Sequence, residues 1–250
     1  MWWREKANSV MTMAASTFAF LQDYPCIQVV GSFDELVMTP MRDGINAICW
    51  ERTLAGDFGE IVEKLGVGRG ITSIDEARLR ELDLSDAGRL ARDVLRQDQE
   101  LLRSHELQPS LDCVNGYVNE IESDLLRTDV QSWHVDSATV EADTYLCTYF
   151  GPASEGVWNE EARRRVEVPE FRVELLKLYG GADDAGFCEY LNENFLDLHY
   201  APLPDARPFS FGLGHLWRIA IAYPDCPVPP CIHRAPATLP GNPPRLLLIS

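Results

Sequence analysis

Apolar and polar positions follow different periods in two parts of the chain. Between residues 73 and about 127 the apolar residues recur at helical spacing. Ser73 and Glu76 have the spacing of a capping box, and Ser85 is a candidate N-cap for the next helix. Along that helix Leu90, Val94, Leu95, Leu101 and Leu102 form an apolar stripe, with Arg89, Arg92, Asp93, Arg96 and Asp98 on the solvated side. A further helix is expected over 114–127, and residues 46–51 read as a buried strand.

From residue 132 onward, short runs rich in aromatic and β-branched residues are separated by Gly, Pro and Asp, which is an all-β signature. Strands are expected at 132–136, 144–150, 172–179, 216–223, 231–233 and 245–249. Eight of the sixteen prolines lie in 224–244, so that stretch must be mostly extended or turning. The expected architecture is a single α+β domain. A mainly helical part, 1–130, packs on a β-sandwich or small barrel, 131–250.

Composition narrows the function. The chain has 22 Lys and Arg against 39 Asp and Glu, a formal charge of −17, so nucleic acid is not an expected partner. Seven widely spaced cysteines suit buried thiols in a reducing compartment better than a disulfide framework. No apolar run approaches the roughly 20 residues of a membrane span. Residues 10–21 follow Arg4 and Lys6, but Glu5 and interspersed Thr and Ser make an ordinary N-terminal segment the expectation rather than a cleaved signal. A cytoplasmic location is the default.

The chemistry concentrates in Trp133-His134-Val135-Asp136. On a strand, residues i and i+2 share a face, so His134 and Asp136 present an imidazole and a carboxylate to one point. A third ligand from a neighbouring strand would complete a two-histidine, one-carboxylate set with open coordination positions. His233 is the best candidate, with His199 and His215 as substitutes. His105, at a helix end, is better suited to capping. Cys226, Cys231 and His233 could instead contribute to a zinc site, but no second pair with matching spacing is present.

His-x-Asp, a distal His and an Arg twelve residues further on resemble the iron(II)/2-oxoglutarate-dependent dioxygenases. More closely, the His-Val-Asp segment, Cys147-Thr148-Tyr149-Phe150-Gly151-Pro152, His233-Arg234-Ala235-Pro236 and the leucine-rich end resemble an uncharacterised bacterial family, domain of unknown function 1826, which supplies no reaction. The dioxygenase resemblance implies a double-stranded β-helix (a cupin-like jelly roll) beneath an N-terminal helical layer. It makes His134, Asp136 and His233 the Fe(II) ligands and catalytic centre, and Arg245 the anchor of the distal carboxylate of 2-oxoglutarate. Tyr149 and Arg218 are further candidates for cosubstrate contact. The implied reaction couples dioxygen and decarboxylation of 2-oxoglutarate to succinate with oxidation of a substrate C–H bond, as in hydroxylation of a small molecule or peptide. The 97-residue separation of Asp136 and His233 implies an insertion, for which 180–194 is the expected place. Two other functions share the ligand set: a metal-dependent cupin without 2-oxoglutarate, and a non-catalytic metal-binding or metal-homeostasis accessory protein.

Overall fold

The computed structural model describes residues 24–117, 127–237 and 241–250. The N-terminal segment weighed as a signal, and most of the helix expected over 114–127, lie outside them.

Two sheets face one another. The larger has seven strands, which run in space as β1 (Ile27–Val30), β2 (Ala47–Trp50), β10 (Leu216–Ala220), β5 (Asp143–Phe150), β12 (Arg245–Ile249), β4 (Ser110–Asn115) and β3 (Gly70–Ser73). β1 and β2 pair in parallel and the other neighbours are antiparallel. The smaller sheet has the order β11 (Ile232–Arg234), β6 (Glu155–Val157), β9 (Phe209–Ser210). Residues 132–136, expected as a strand, attach to β11 through a single bridge between His134 and His233. The N-terminal part is thus more than a helical layer, because it supplies four of the seven strands of the larger sheet.

Alternation along the strands creates two cores. Ile48, Tyr145, Cys147, Tyr149, Leu216, Leu246 and Leu248 face the helices. Ala47, Cys49, Leu146, Trp217, Ile219 and Leu247 face the smaller sheet and meet Phe209, Phe211 and Cys231 there. Both sides of the central strands are therefore covered, which explains the unbroken apolar runs at 47–50 and 246–249.

The helix layer comprises α1 (Phe33–Met38), α2 (Phe58–Leu65), α3 (Glu76–Glu81) and α4 (Asp86–Ser104). Ser85 caps α4 as expected, its Oγ accepting from Gly88 N. Ser73 does not pair with Glu76. It ends β3 and donates to Asp112, while Asp75 caps α3 by accepting from Arg78 N at 2.7 Å. The buried stripe of α4 is Gly88, Ala91, Leu95, Asp98, Gln99 and Leu102. Leu90 is exposed, and Asp98, expected in solvent, is 2% exposed because Arg52 takes both its oxygens.

The chain between β6 and β9 carries more structure than the 180–194 stretch expected as an insertion. Between β7 (Ala162–Arg164) and β8 (Tyr200–Pro202) lie α5 (Pro169–Tyr179) and α6 (Ala185–Glu193), with a core of Val166, Leu175, Phe187, Leu191 and Leu196. The strand expected at 172–179 is helical. Pro169 opens α5 and Gly180 closes it with φ 74°, and these end signals outweigh the strand-like composition between them. No described helix is long and apolar enough to cross a membrane.

Candidate metal centre

The backbone sets the centre before any side chain does. His134 and His233 are directly opposed, each N–H donating to the other's carbonyl at 2.9 Å, so both imidazoles leave the same face. Their neighbours Trp133, Val135 and Ile232 form a separate apolar cluster with Val157 on the outer side of the smaller sheet. The histidines therefore point inward, with Cys231 and Phe211. Asp136 follows His134 by two and shares its face. Its carbonyl accepts from Ala222 N at 2.8 Å, fastening the segment just beyond β10.

Hydrogen bonds then orient the ligand atoms. His134 Nδ1 lies 2.8 Å from Ser132 O, and His233 Nδ1 lies 3.2 Å from Cys231 O. A carbonyl only accepts, so each Nδ1 carries a hydrogen and in the neutral ring each Nε2 presents a lone pair. Both Nε2 atoms stand 3.7 Å from Asp136, one from each oxygen. The three ligand atoms lie within 4.8 Å of one another, the one such group of three among the described residues. Thr144 Oγ1 donates to Asp136 Oδ2 at 2.6 Å, fixing the carboxylate from the larger sheet.

Electrostatics keep the ligands ready. Burial, then the nearby His233, lowers the pKa of His134 to about 4, so its imidazole is neutral at pH 7. Burial alone would raise that of Asp136, but His233, the Thr144 hydroxyl and His134 outweigh it and the carboxyl stays below its ordinary value. The neutral His134 Nε2 and the Asp136 anion thus converge with His233 Nε2, an arrangement a divalent cation suits. Phe211 lies 6.5 Å from His233 at 26°, and Trp217 stacks on Phe211 at 4.6 Å, giving the cluster an apolar wall.

Arg245 is 4% exposed. Leu247 belongs to the core between the sheets, while Leu246 and Leu248 face the helices, so Arg245 also lies on the inner face. It donates to Tyr117 Oη at 3.0 Å and Ser154 Oγ at 2.9 Å, and its Nε has no partner among the described residues. No carboxylate pairs with it among the described residues. Thr148 Oγ1, on the inner face of β5, is likewise buried without a partner among the described residues. Gly151 makes the close turn possible. Its φ is 82°, and a Cβ there would lie 2.5 Å from Pro244 O and 3.0 Å from the Arg245 Cα.

Two expected cosubstrate residues face away from the cluster. Tyr149 lies on the helix side, where its hydroxyl donates to Asp98 at 2.6 Å and its ring stacks on Phe58. Arg218 is also on the helix side. It is neutralised by Asp143 at 2.6 Å and donates to Val37 O and Thr39 O at the end of α1. Neither side chain offers an unpaired polar group to the space between the sheets. The alternation along 143–150 leaves two sets of facing residues, and the structure selects Thr144, Leu146 and Thr148 for the interior rather than the tyrosines.

The other histidines and cysteines separate from the cluster. His199 lies beside His134, its Nδ1 held by Ser132, while His215 accepts from Arg52 N. His105 is the C-cap of α4. Cys226 turns its thiol to Val228 O, away from a shared site with His233.

Comparison with protein-family models, with curated proteins and with solved structures finds no match. The chain is accordingly assigned to no family, and the reading of its centre rests on its own residues.

Proposed function

We propose that the protein is a non-haem Fe(II)/2-oxoglutarate-dependent oxygenase built on a double-stranded β-helix. Support for that fold is the chain path. β4, β5, β10 and β12 lie in one sheet and the 132–136 segment, β6, β9 and β11 in the other, and among these eight the chain crosses between the sheets at every step except β6 to β9, which pair with each other. The neighbour orders β4-β12-β5-β10 and 132–136-β11-β6-β9 are those of an eight-stranded jelly roll.

Support for the metal is the convergence of His134 Nε2, His233 Nε2 and the Asp136 carboxylate, a facial set that suits Fe(II) and leaves positions open. The observation that carries the 2-oxoglutarate reading is Arg245, a buried guanidinium on the same inner face whose hydrogen-bond partners among the described residues are neutral hydroxyls. A buried cation without a counter-ion is costly, and a carboxylate meets its paired donors. Ser154, which accepts from Arg245, precedes by two residues the Gly156 that pairs with His233, about 7 Å of extended chain. One dicarboxylate can span that interval.

Bound iron would supply the coupling of 2-oxoglutarate decarboxylation to oxidation of a C–H bond by dioxygen. The chain's residues do the rest. Thr144 holds the Asp136 carboxylate, the Ser132 and Cys231 carbonyls hold the imidazoles, Arg245 with Tyr117, Ser154 and Thr148 receives the distal carboxylate, and Phe211 with Trp217 excludes water. The substrate is a small molecule or peptide, and the charge of −17 favours a neutral or cationic one.

Anaerobic addition of Fe(II) and then 2-oxoglutarate tests this. A visible charge-transfer band in the wild type, absent in His134→Ala, is the expected result. Tight metal binding without a band would replace this reading with a cupin of other chemistry or a metal-handling protein. No metal binding would remove it altogether.

A further inference from the structure

The insertion between β7 and β8 returns to the body of the protein at the metal-binding segment. Val135 N donates to Leu198 O at 3.1 Å and Tyr200 N to Trp133 O at 2.8 Å. These bonds flank His134 and His199, which are paired across the bridge without bonding each other directly, so their side chains share one face. The rings lie 5.9 Å apart at 33°. His199, His134 and His233 therefore stand in a row, with His134 in the middle.

Ser132 links the first two. Its hydroxyl donates its single hydrogen to Asp129 O at 2.8 Å. The 2.6 Å contact between Ser132 Oγ and His199 Nδ1 must then be donated by the imidazole, which assigns the hydrogen of His199 to Nδ1. The carbonyl of the same serine accepts from His134 Nδ1 at 2.8 Å. Ser132 is thus held at its hydroxyl by the insertion, and at its carbonyl it sets the ring plane and tautomer of His134. Packing alone does not require a histidine here. Leu198 and Tyr200 already join the apolar cluster of Trp133, Val135 and Ile232, which anchors the insertion's end.

We propose that His199 is a positioning residue for the metal centre, fixing the imidazole of His134 through Ser132. This rests on the reading of His134 as a metal ligand. His199 itself is outside the group of three whose ligand atoms converge. Its role is second-hand, and its loss acts on the metal through one neighbour.

The test compares His199→Ala, His199→Asn and Ser132→Ala, reading Co(II) affinity and the visible spectrum of the Co(II) protein, with melting of the metal-free protein as the folding control. The amide nitrogen of asparagine falls near the place of Nδ1 and can donate to Ser132. His199→Ala should weaken Co(II) binding by about 10–100-fold, the range of a lost supporting bond, and shift the spectrum. His199→Asn should restore both to within a few-fold. Ser132→Ala should also weaken binding, and adding it to His199→Ala should cost little more. If His199→Ala does not fold, Ser132→Ala and His199→Asn still read the link. Wild-type affinity and spectrum in a folded His199→Ala or Ser132→Ala would overturn the proposal, as would a folded His199→Asn as impaired as His199→Ala. A wild type that binds no Co(II) would overturn the metal reading and this proposal with it, an outcome distinct from variants that bind as the wild type does.

Discussion

Thr144 on the inner face of β5 donates to Asp136 at 2.6 Å, so the carboxylate of one sheet is aimed by a hydroxyl of the other. Asp136 has 31% of its side chain exposed, more than either histidine, and relies on this bond for its orientation. Thr144→Val keeps the shape and removes the donor. Metal affinity should fall by about 10–100-fold while the fold persists. Isothermal titration with Co(II) measures this, and unchanged affinity would mean the carboxylate is aimed by something else.

Much of this centre is legible in the sequence because a two-residue spacing on extended chain fixes a shared face whatever the tertiary context. His134 and Asp136 need only that rule. Their partner His233 follows from being the last histidine of the chain, in a strand-like run. Tyr149 and Arg218 turn away from the cluster for a single reason. Alternation separates the faces of β5 and β10 but does not say which one meets the helices. Buried Asp98 decides this for Tyr149, and the end of α1 together with Asp143 decides it for Arg218. These partners lie far away in the chain. The helix at 169–179 escapes a reading based on composition because its end signals, Pro169 and Gly180, flank the strand-like stretch without falling inside it.

Asp98 carries the second buried network. It accepts from Arg52 at 2.7 and 2.5 Å and from the Tyr149 hydroxyl at 2.6 Å. Burial, followed by the neighbouring Cys147 and Asp98, drives the Tyr149 pKa well up, so the hydroxyl remains a donor. Asp98→Ala leaves Arg52 buried without its counter-ion and should cost about 3–5 kcal/mol. Tyr149→Phe should cost about 1 kcal/mol and leave metal and 2-oxoglutarate binding untouched. Urea unfolding beside ligand titration checks both, and loss of cosubstrate binding in Tyr149→Phe would reinstate the role its sequence position suggests.

His215 gives the fold an acid-sensitive point away from the His134, Asp136 and His233 cluster. Burial, then the charge of Arg52, lowers its pKa from the ordinary 6.5 to about 4. The unfolded chain therefore binds a proton between those values that the folded chain refuses. Stability from this residue is complete above pH 6.5 and is lost as pH falls towards 4. His215→Asn should flatten the dependence of unfolding free energy on pH across that window. An unchanged slope would place the acid sensitivity elsewhere.

Arg245 offers the sharpest separation of binding from folding. Burial lowers its pKa, only partly offset by Tyr117, so the guanidinium is held at a cost that a bound carboxylate would remove. In the wild type, 2-oxoglutarate at about one hundred times its Kd should add about 2.7 kcal/mol of stability. Arg245→Met preserves the apolar stem and deletes the charge. It should melt no lower than the wild type without cosubstrate, show no shift when 2-oxoglutarate is added, and still bind Co(II). Arg245→Lys keeps the charge but loses the paired donors, so it should recover only part of the shift. Full protection of Arg245→Met by 2-oxoglutarate would move the anchor to another residue, and loss of Co(II) binding would show that Arg245 supports the metal centre instead of the cosubstrate.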